Sequence, residues 1–478
     1  MLAQSLSTVA TLFFFEIAHF FSEDWVRPGE SPSRLLPPSP IDHHRMRSTF
    51  AWREPDVGRR LATVRRTYSW ELPRAPVSPD EGARAAAVCG TPAHERASEP
   101  TVDVRDAGVQ LHDPSAIVAE GGRYFLYSTS YAHADAHGNG AAIKAWMSCG
   151  DLERWLDIGH VLARIPPWVR QLVPLNQGLM WAPSVARFGR KWNLYYSVAA
   201  PRGPYQDAAA CIGVLTSTAL WPGAADYGWT DRGPVVCSNG TGTDWLHRRG
   251  DGYCAIDPEV VRVPAGGGGD GDDDGGVSGS AWLSFGSHMG GIKLIPLAAD
   301  GLPLRGAKPM DRPVPSRVYS LATHVSRGNG RVYPWLTAFG VNAIEASYIH
   351  HAGGWFYLYA NWDMCCIGAG ATYNIRVGRS RQITGPYLDA AGKDMELGGG
   401  TLVIGAKDAH GNSASGHAGV LELRHASNRS DRRLVLSSHY YLAHGDGRGL
   451  SFLQWHELEY DAAGWPRLGA RHVPKLRL

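Results

Sequence analysis

One hairpin recurs five times along this chain, and no other feature constrains its fold as tightly. The first copy reads LHDPSAIVAEGGRYFLYSTS from Leu111. It has an acidic tip at Asp113-Pro114, a polar turn at Glu120-Gly121-Gly122, then a dense aromatic strand. Later copies read WAPSVARFGRKWNLYYSVAA from Trp181, IDPEVVRVP from Ile256, IEASYIHHAGGWFYLYANW from Ile344 and GHAGVLELRHASNRSDRRLVLSSHYY from Gly416. The aromatic strands start near 123, 191, 281, 355 and 433, in steps of 68, 90, 74 and 78 residues. Such steps are too long for a helical repeat. They fit four-stranded blades with long loops, against roughly 40–50 residues for compact propeller blades. A ring of five blades leaves only short edges, which removes the hazard of exposed strand edges. A β-sandwich with coincidental hairpins competes. Strands alternating with turns, and no long amphipathic helix, favour an all-β, five-bladed β-propeller over residues 101–478.

Composition narrows the function classes. Hydrophobic content of 44% and charged content of 19% describe an ordinary globular protein. The net charge of +2 gives no reason to expect nucleic acid or a charged membrane. No basic stripe with base-stacking aromatics occurs, so nucleic acid is set aside.

Residues 1–100 differ from the rest, being rich in Arg, Pro and Ser with little periodicity, as in a disordered linker. The apolar run from Leu12 to Phe21 is broken by Glu16 and His19, and no Lys or Arg precedes Arg27. It is too short for a membrane span. It reads as a degenerate signal segment or as an unstructured leader.

Seven cysteines (Cys89, Cys149, Cys211, Cys237, Cys254, Cys365, Cys366) leave one odd and lack the C-x-x-C spacing of a zinc site. Asn239 and Asn428 head glycosylation acceptor triplets if the chain is secreted. The acidic stretch Gly266 to Gly276 lacks ordered calcium-ligand spacing and reads as a solvated insertion in the third blade.

The chemistry sits at the blade starts. Asp113, Asp257 and Glu345 stand at matching positions of their repeats. The first strand of a propeller blade lines the central channel, so matching positions converge at one mouth. Carboxylates crowded there raise one another's proton affinity. Glycoside hydrolysis needs that division, with one protonated acid for the leaving oxygen and one ionised carboxylate. A single strand-start Asp or Glu is ordinarily a turn residue. Three at matching positions favour catalysis.

These motifs in this order resemble glycoside hydrolase family 43, and within it the endo-1,5-α-L-arabinanases. They include LHDPS at 111–115, PPWVRQLVP at 166–174, LMWAPS at 179–184, YCAIDPE at 253–259, FGSHMGGIKL at 285–294, AIEASYI at 343–349 and the segment from Cys365-Cys366 to Tyr387. The resemblance covers about residues 109–478. It implies a five-bladed propeller and an inverting hydrolase. Asp113 then matches the general base, Glu345 the general acid, and Asp257 the carboxylate that raises and orients the acid. Trp181, Ser287 and His288 fall at substrate-binding positions. His439 matches a histidine beside a channel metal, described in the family as calcium with water ligands. His417 lies at a blade start and faces the same channel. Cys365-Cys366 matches a paired cysteine with a structural role near the rim. The chain departs from the family at Ser184 (Asp after WAP), Glu259 (Asn after IDP) and His288-Met289 (an aromatic pair). The expected protein is a secreted, monomeric arabinan hydrolase, with no nucleic-acid or membrane partner. An exo-acting relative on the same scaffold and a carbohydrate-binding propeller without turnover are the alternatives.

Overall fold

The computed structural model describes residues 108–476 apart from short stretches, the longer of them 200–209, 239–251, 265–278 and 327–340. The leader at 1–100, Cys89, Asn239 and the insertion at 266–276 lie outside the described residues.

Five antiparallel sheets form a five-bladed β-propeller. Blade 1 holds β1 (Val118–Glu120), β2 (Arg123–Ser128), β3 (Asn139–Ser148) and β4 (Arg154–Arg164). A short helix, α1 (Pro167–Leu172), leads into blade 2, which holds β5 (Met180–Phe188), β6 (Lys191–Val198), β7 (Cys211–Ser217) and β8 (Thr230–Cys237). Blade 3 holds β9 (Glu259–Pro264), β10 (Gly279–Phe285), β11 (Ile292–Leu297) and β12 (Tyr319–Ala322). A small ribbon of β13 (Val325–Ser326) and β14 (Val341–Asn342) precedes blade 4. Blade 4 holds β15 (Ile344–Ala352), β16 (Trp355–Trp362), β17 (Asn374–Ser380) and β18 (Thr401–Ile404). Blade 5 holds β19 (Ser413–His425), β20 (Asn428–Tyr441), β21 (Ser451–Tyr460) and β22 (Pro466–His472).

The sequence repeats map onto the first two strands of each blade. Aromatic and branched residues suit these strands because both faces are covered by neighbouring blades. The turn between β1 and β2 has two residues, Gly121 and Gly122, at φ 57° and 75°. Left-handed backbone at both positions is what a tight hairpin demands, and glycine adopts it without strain. The hydrophobic core is divided among the blade interfaces. Phe125 and Leu194 meet between blades 1 and 2, and Leu126 and Leu453 between blades 5 and 1.

The ring closes with strands from both chain ends. β23 (Lys475–Leu476) pairs in parallel with β4 of blade 1. Leu111 donates its N–H to Ser451 O, and Leu453 to Val109 O, at 3.0 and 2.8 Å.

Every inner strand carries the same bulge. Trp181 faces Ser197 and Ser184 faces Tyr195, so two inner residues oppose one. Glu345 with Asn361, then Tyr348 with Tyr359, repeats this, as does Gly416 with His439, then Gly419 with Ser437. Backbone bonds give the same count at Thr129–His112 with Ser115–Tyr127. In blade 3, Gly286 bonds Ile256 and Ser284 faces Glu259. The first bulged residue is left-handed in all five blades: Asp113 (φ 45°), Ala182 (45°), Asp257 (55°), Ala346 (52°) and His417 (59°). Non-glycine residues pay about 1–2 kcal/mol each for that conformation, so surrounding bonds must hold it.

Those bonds come from the preceding blade. The residue facing each pre-bulge position is Thr129, Ser197, Gly286, Asn361 or His439. Ala182 N–H donates to Thr129 Oγ1 at 2.9 Å and Asp257 N–H to Ser197 Oγ at 2.9 Å. His417 N–H donates to Asn361 Oδ1 at 2.9 Å, and Asp113 N–H to His439 Nδ1 at 3.3 Å. Gly286 has no side chain to offer. In that blade the carboxylate of Asp257 steps in and accepts from Ala346 N–H at 3.1 Å. Each bond satisfies an inner-strand donor and ties one blade to the next.

Ser197→Ala removes one of these ties and leaves the Asp257 N–H unpaired in a buried place. We expect a stability loss of about 1–3 kcal/mol, read as a lowered urea midpoint with an unchanged slope.

Candidate active site

The bulges decide which side chains meet at the channel mouth. In a regular strand, adjacent residues point to opposite faces. A bulge breaks that alternation and re-aims one side chain. Asp113 and Asp257 share the bulge position, but Glu345 does not: blade 4 puts Ala346 there. Glu345 stands one residue earlier, level with His112, Trp181, Ile256 and Gly416. The expected equivalence of all three acids is therefore corrected to two equivalent positions and one neighbour. All three still act on one buried phenol, because the bulge lets consecutive positions share one space.

Tyr373, at the start of blade 4's third strand, marks that space. Its phenol is buried, and burial, then Glu345, Asp257 and Asp113, push its pKa well above the ordinary 10. The Tyr373 ring occupies the place a side chain at Gly416 would fill, since a Cβ there would lie 2.1 Å from Tyr373 Cε1.

Asp113 has polar partners on both of its carboxylate oxygens. Its Oδ2 accepts from Thr129 Oγ1 at 2.7 Å, and Thr129 accepts from Ala182 N–H. Its Oδ1 lies 3.3 Å from His112 Nε2, 3.4 Å from His417 Nδ1 and 3.9 Å from His439 Nδ1. Burial pushes the carboxyl up, but His112, His417 and His439 outweigh it and hold Asp113 well below the usual carboxylate range. Burial also lowers the pKa of His112 and, further, of His439.

Glu345 is held from blade 3. Ser287 Oγ donates to its Oε2 at 2.6 Å, and His288 Nδ1 lies 2.8 Å from Ser287 Oγ and 3.7 Å from Glu345 Oε2. Trp181 is half-buried and packs on Ala199, Ala210, Cys254 and Ile256. His417, at a blade start, places its Nδ1 3.4 Å from Asp113 Oδ1.

His439 is a fully buried neutral imidazole whose Nδ1 accepts the Asp113 N–H. Its Nε2 has no hydrogen-bond partner among the described residues. Donor atoms of His112, Asp113 and His439 lie within 4.8 Å of one another. Two imidazoles and one carboxylate do not make the cage of about 6–8 oxygens that calcium takes. With Nδ1 accepting, Nε2 carries the proton and offers no lone pair. These three side chains do not by themselves fit a calcium ion.

The paired cysteines form a Cys365–Cys366 disulfide whose Cys366 Sγ lies 3.5 Å from His112 Nε2. Cys211 and Cys237 bridge β7 and β8, Cys149 is also disulfide-bonded, and Cys254 is buried.

Thr129, Ser197, Asn361 and Tyr373 escaped the sequence reading. The first three occupy one position of the aromatic strand in STS, YSV and YANW, so aligning the second strands of the hairpins exposes them. Tyr373 leaves no such trace, because its place depends on packing across Gly416.

Known proteins share this chain's sequence and fold. The model of glycosyl hydrolases family 43 matches residues 108–429. An extracellular exo-α-(1→5)-L-arabinofuranosidase of Cellvibrio japonicus is 31% identical over 366 residues, 76% of this chain and 88% of its own length. An extracellular endo-α-(1→5)-L-arabinanase of Bacillus subtilis is 30% identical over 298 residues, 62% of this chain and 73% of its own. Among solved structures, Cellvibrio cellulosa α-L-arabinanase complexed with arabinohexaose is similar at TM-score 0.58 and 29% identity, over 77% of this chain and 100% of that one.

The departures Ser184 and Glu259 meet below the bulge ring. Ser184 Oγ donates to Glu259 Oε2 at 2.8 Å and accepts from Val260 N–H at 3.2 Å. Burial pushes the Glu259 carboxyl from 4.5 up to about 8, against the Ser184 bond. The folded state keeps a proton there that the unfolded chain gives up. Its stabilising contribution is thus full below pH 4.5 and is lost as pH rises to about 8. Glu259→Gln should flatten the fall in Tm across that window, read by thermal melts at stepped pH.

Proposed function

Because the chain belongs to glycosyl hydrolases family 43, we propose that it hydrolyses α-1,5-linked arabinan at internal bonds with inversion. Asp113 is the general base, Glu345 the general acid, and Asp257 the carboxylate that orients the acid's strand. The observation that carries this reading is the meeting of three acids from three blades around Tyr373, in unlike environments. Pairs of titratable groups in different surroundings are how one site runs acid and base chemistry together.

Asp113 meets the requirement for a base. It stays ionised, and Thr129 fixes one oxygen while the other faces the imidazoles. From there it removes a proton from water attacking the anomeric carbon. Glu345 meets the requirement for an acid in its fixed plane, set by the Ser287 bond at Oε2. It gives a proton to the departing sugar oxygen. Asp257 accepts from Ala346 N–H, the residue after Glu345, and so fixes the backbone that carries the acid. Trp181 offers an indole face at the rim for a sugar ring.

The exo reading has its own support, since the Cellvibrio japonicus relative that matches 76% of this chain is named as exo-acting. Two relatives named as extracellular support secretion. No helix among the described residues is long and apolar enough to cross a membrane.

Sizing the products from linear arabinan separates the readings. A ladder of short oligomers supports endo action, one small product at all times supports exo action, and no product refutes hydrolysis of arabinan. Asp113→Asn and Glu345→Gln should each lower kcat by about 100-fold or more with the Tm preserved, and near-wild-type turnover in either would remove that residue's role.

A further inference from the structure

An inverting hydrolase ends each turnover in the wrong protonation state. Glu345 has given its proton to the leaving oxygen, and Asp113 has taken one from water. Before the next cycle one proton must leave Asp113 and another must reach Glu345, whose side chain is only 12% exposed.

We propose that His288 and Ser287 form a proton relay that returns the proton to Glu345 from solvent. This rests on the acid role assigned to Glu345 above. The three groups stand in series. His288 Nδ1 is 2.8 Å from Ser287 Oγ, and Ser287 Oγ is 2.6 Å from Glu345 Oε2. The gradient of exposure runs the right way. The His288 side chain is 26% exposed, whereas Ser287 is 2% exposed. A hydroxyl suits the middle position because it accepts one proton while giving up another. Imidazole suits the outer position because either ring nitrogen can carry a proton.

The step balances. The Nδ1–H bond of the His288 imidazolium breaks as a new Oγ–H bond forms on Ser287. The original Oγ–H bond of Ser287 breaks as an O–H bond forms at Glu345 Oε2. Asp113 releases its proton to solvent, and the neutral imidazole takes up a proton from solvent in its place, so no net acid or hydroxide is formed. No oxidant, metal or second substrate takes part.

The local backbone is built to hold this alignment. Gly286 N–H donates to Ile256 O and His288 N–H to Ile344 O, each at 2.9 Å, pinning the loop beside both Asp257 and Glu345. Gly291 N–H closes the turn on His288 O at 2.7 Å. His288 sits at φ 50°, a left-handed backbone that histidine does not choose unaided. A Cβ on Gly286 would lie 2.3 Å from Gly291 O, so the tight turn needs that glycine. A side chain required only to pack at the rim does not need this placement.

His288→Phe tests the relay, since it keeps an aromatic ring and removes the proton carrier. We expect kcat on arabinan to fall by about 10-fold or more with KM little changed, and added imidazole to restore part of the rate. The loss should shrink on an aryl arabinofuranoside, whose leaving group needs little protonation. Ser287→Ala should show the same leaving-group pattern without imidazole rescue, while Ser287→Thr, which keeps the hydroxyl, should retain turnover. An unchanged kcat, a change in KM alone, or an equal loss on both substrates without rescue overturns the relay. Thermal melts of each variant separate these outcomes from misfolding. Wild-type protein inactive on every arabinan would instead sink the hydrolase reading, and the relay with it.

Discussion

The inner ring of bulges governs this molecule. Each bulge turns one backbone N–H away from its own ladder, and a buried unpaired N–H costs about 1–3 kcal/mol. The donors at Ala182, Asp257, His417 and Asp113 are each met by a side chain of the blade before. One bond thereby holds a strained residue, ties two blades and sets the height of the channel mouth. The last tie, His439 to Asp113, lies where the ring closes, beside the bonds that join residues 109–111 to blade 5. Ring closure and the placement of Asp113 are one event.

The exception in the ring explains Asp257. Blade 3 has Gly286 where the others carry a polar side chain, so the tie to Ala346 comes from the bulged residue itself. That carboxylate is held against the backbone next to Glu345. That hydrogen bond is the basis on which Asp257 is proposed to orient the acid. The three acids differ in what surrounds them. Asp113 faces three imidazoles and a threonine, Asp257 faces a backbone donor, and Glu345 faces a serine backed by a histidine. Glu259 accepts from Ser184, and burial holds its proton to about pH 8.

Much of the fold was legible because hairpins announce themselves locally. Gly121-Gly122 between an extended run and an aromatic strand is a turn in any context, and five such units in order leave few closed architectures. Asp113, Asp257 and Glu345 were legible as acids at blade starts. Their register was not. A bulge inserts one residue without any composition signal, so Glu345 looked level with Asp113 although Ala346 holds that place. Thr129, Ser197 and Asn361 looked like ordinary strand residues, because a hydrogen bond to the next blade spans a separation that no window along the chain contains. Tyr373 was hidden for the same reason, its position resting on a glycine in another blade.

The sequence by itself determined the repeat, the turn chemistry, the apolar faces and the supply of acids and imidazoles, since these depend on residue type and near-neighbour spacing. Only the tertiary structure decided which of them touch. Charge strength, proton position and the serine–histidine chain behind Glu345 arise from distances of a few ångströms between blades, and those distances exist only once the ring has closed.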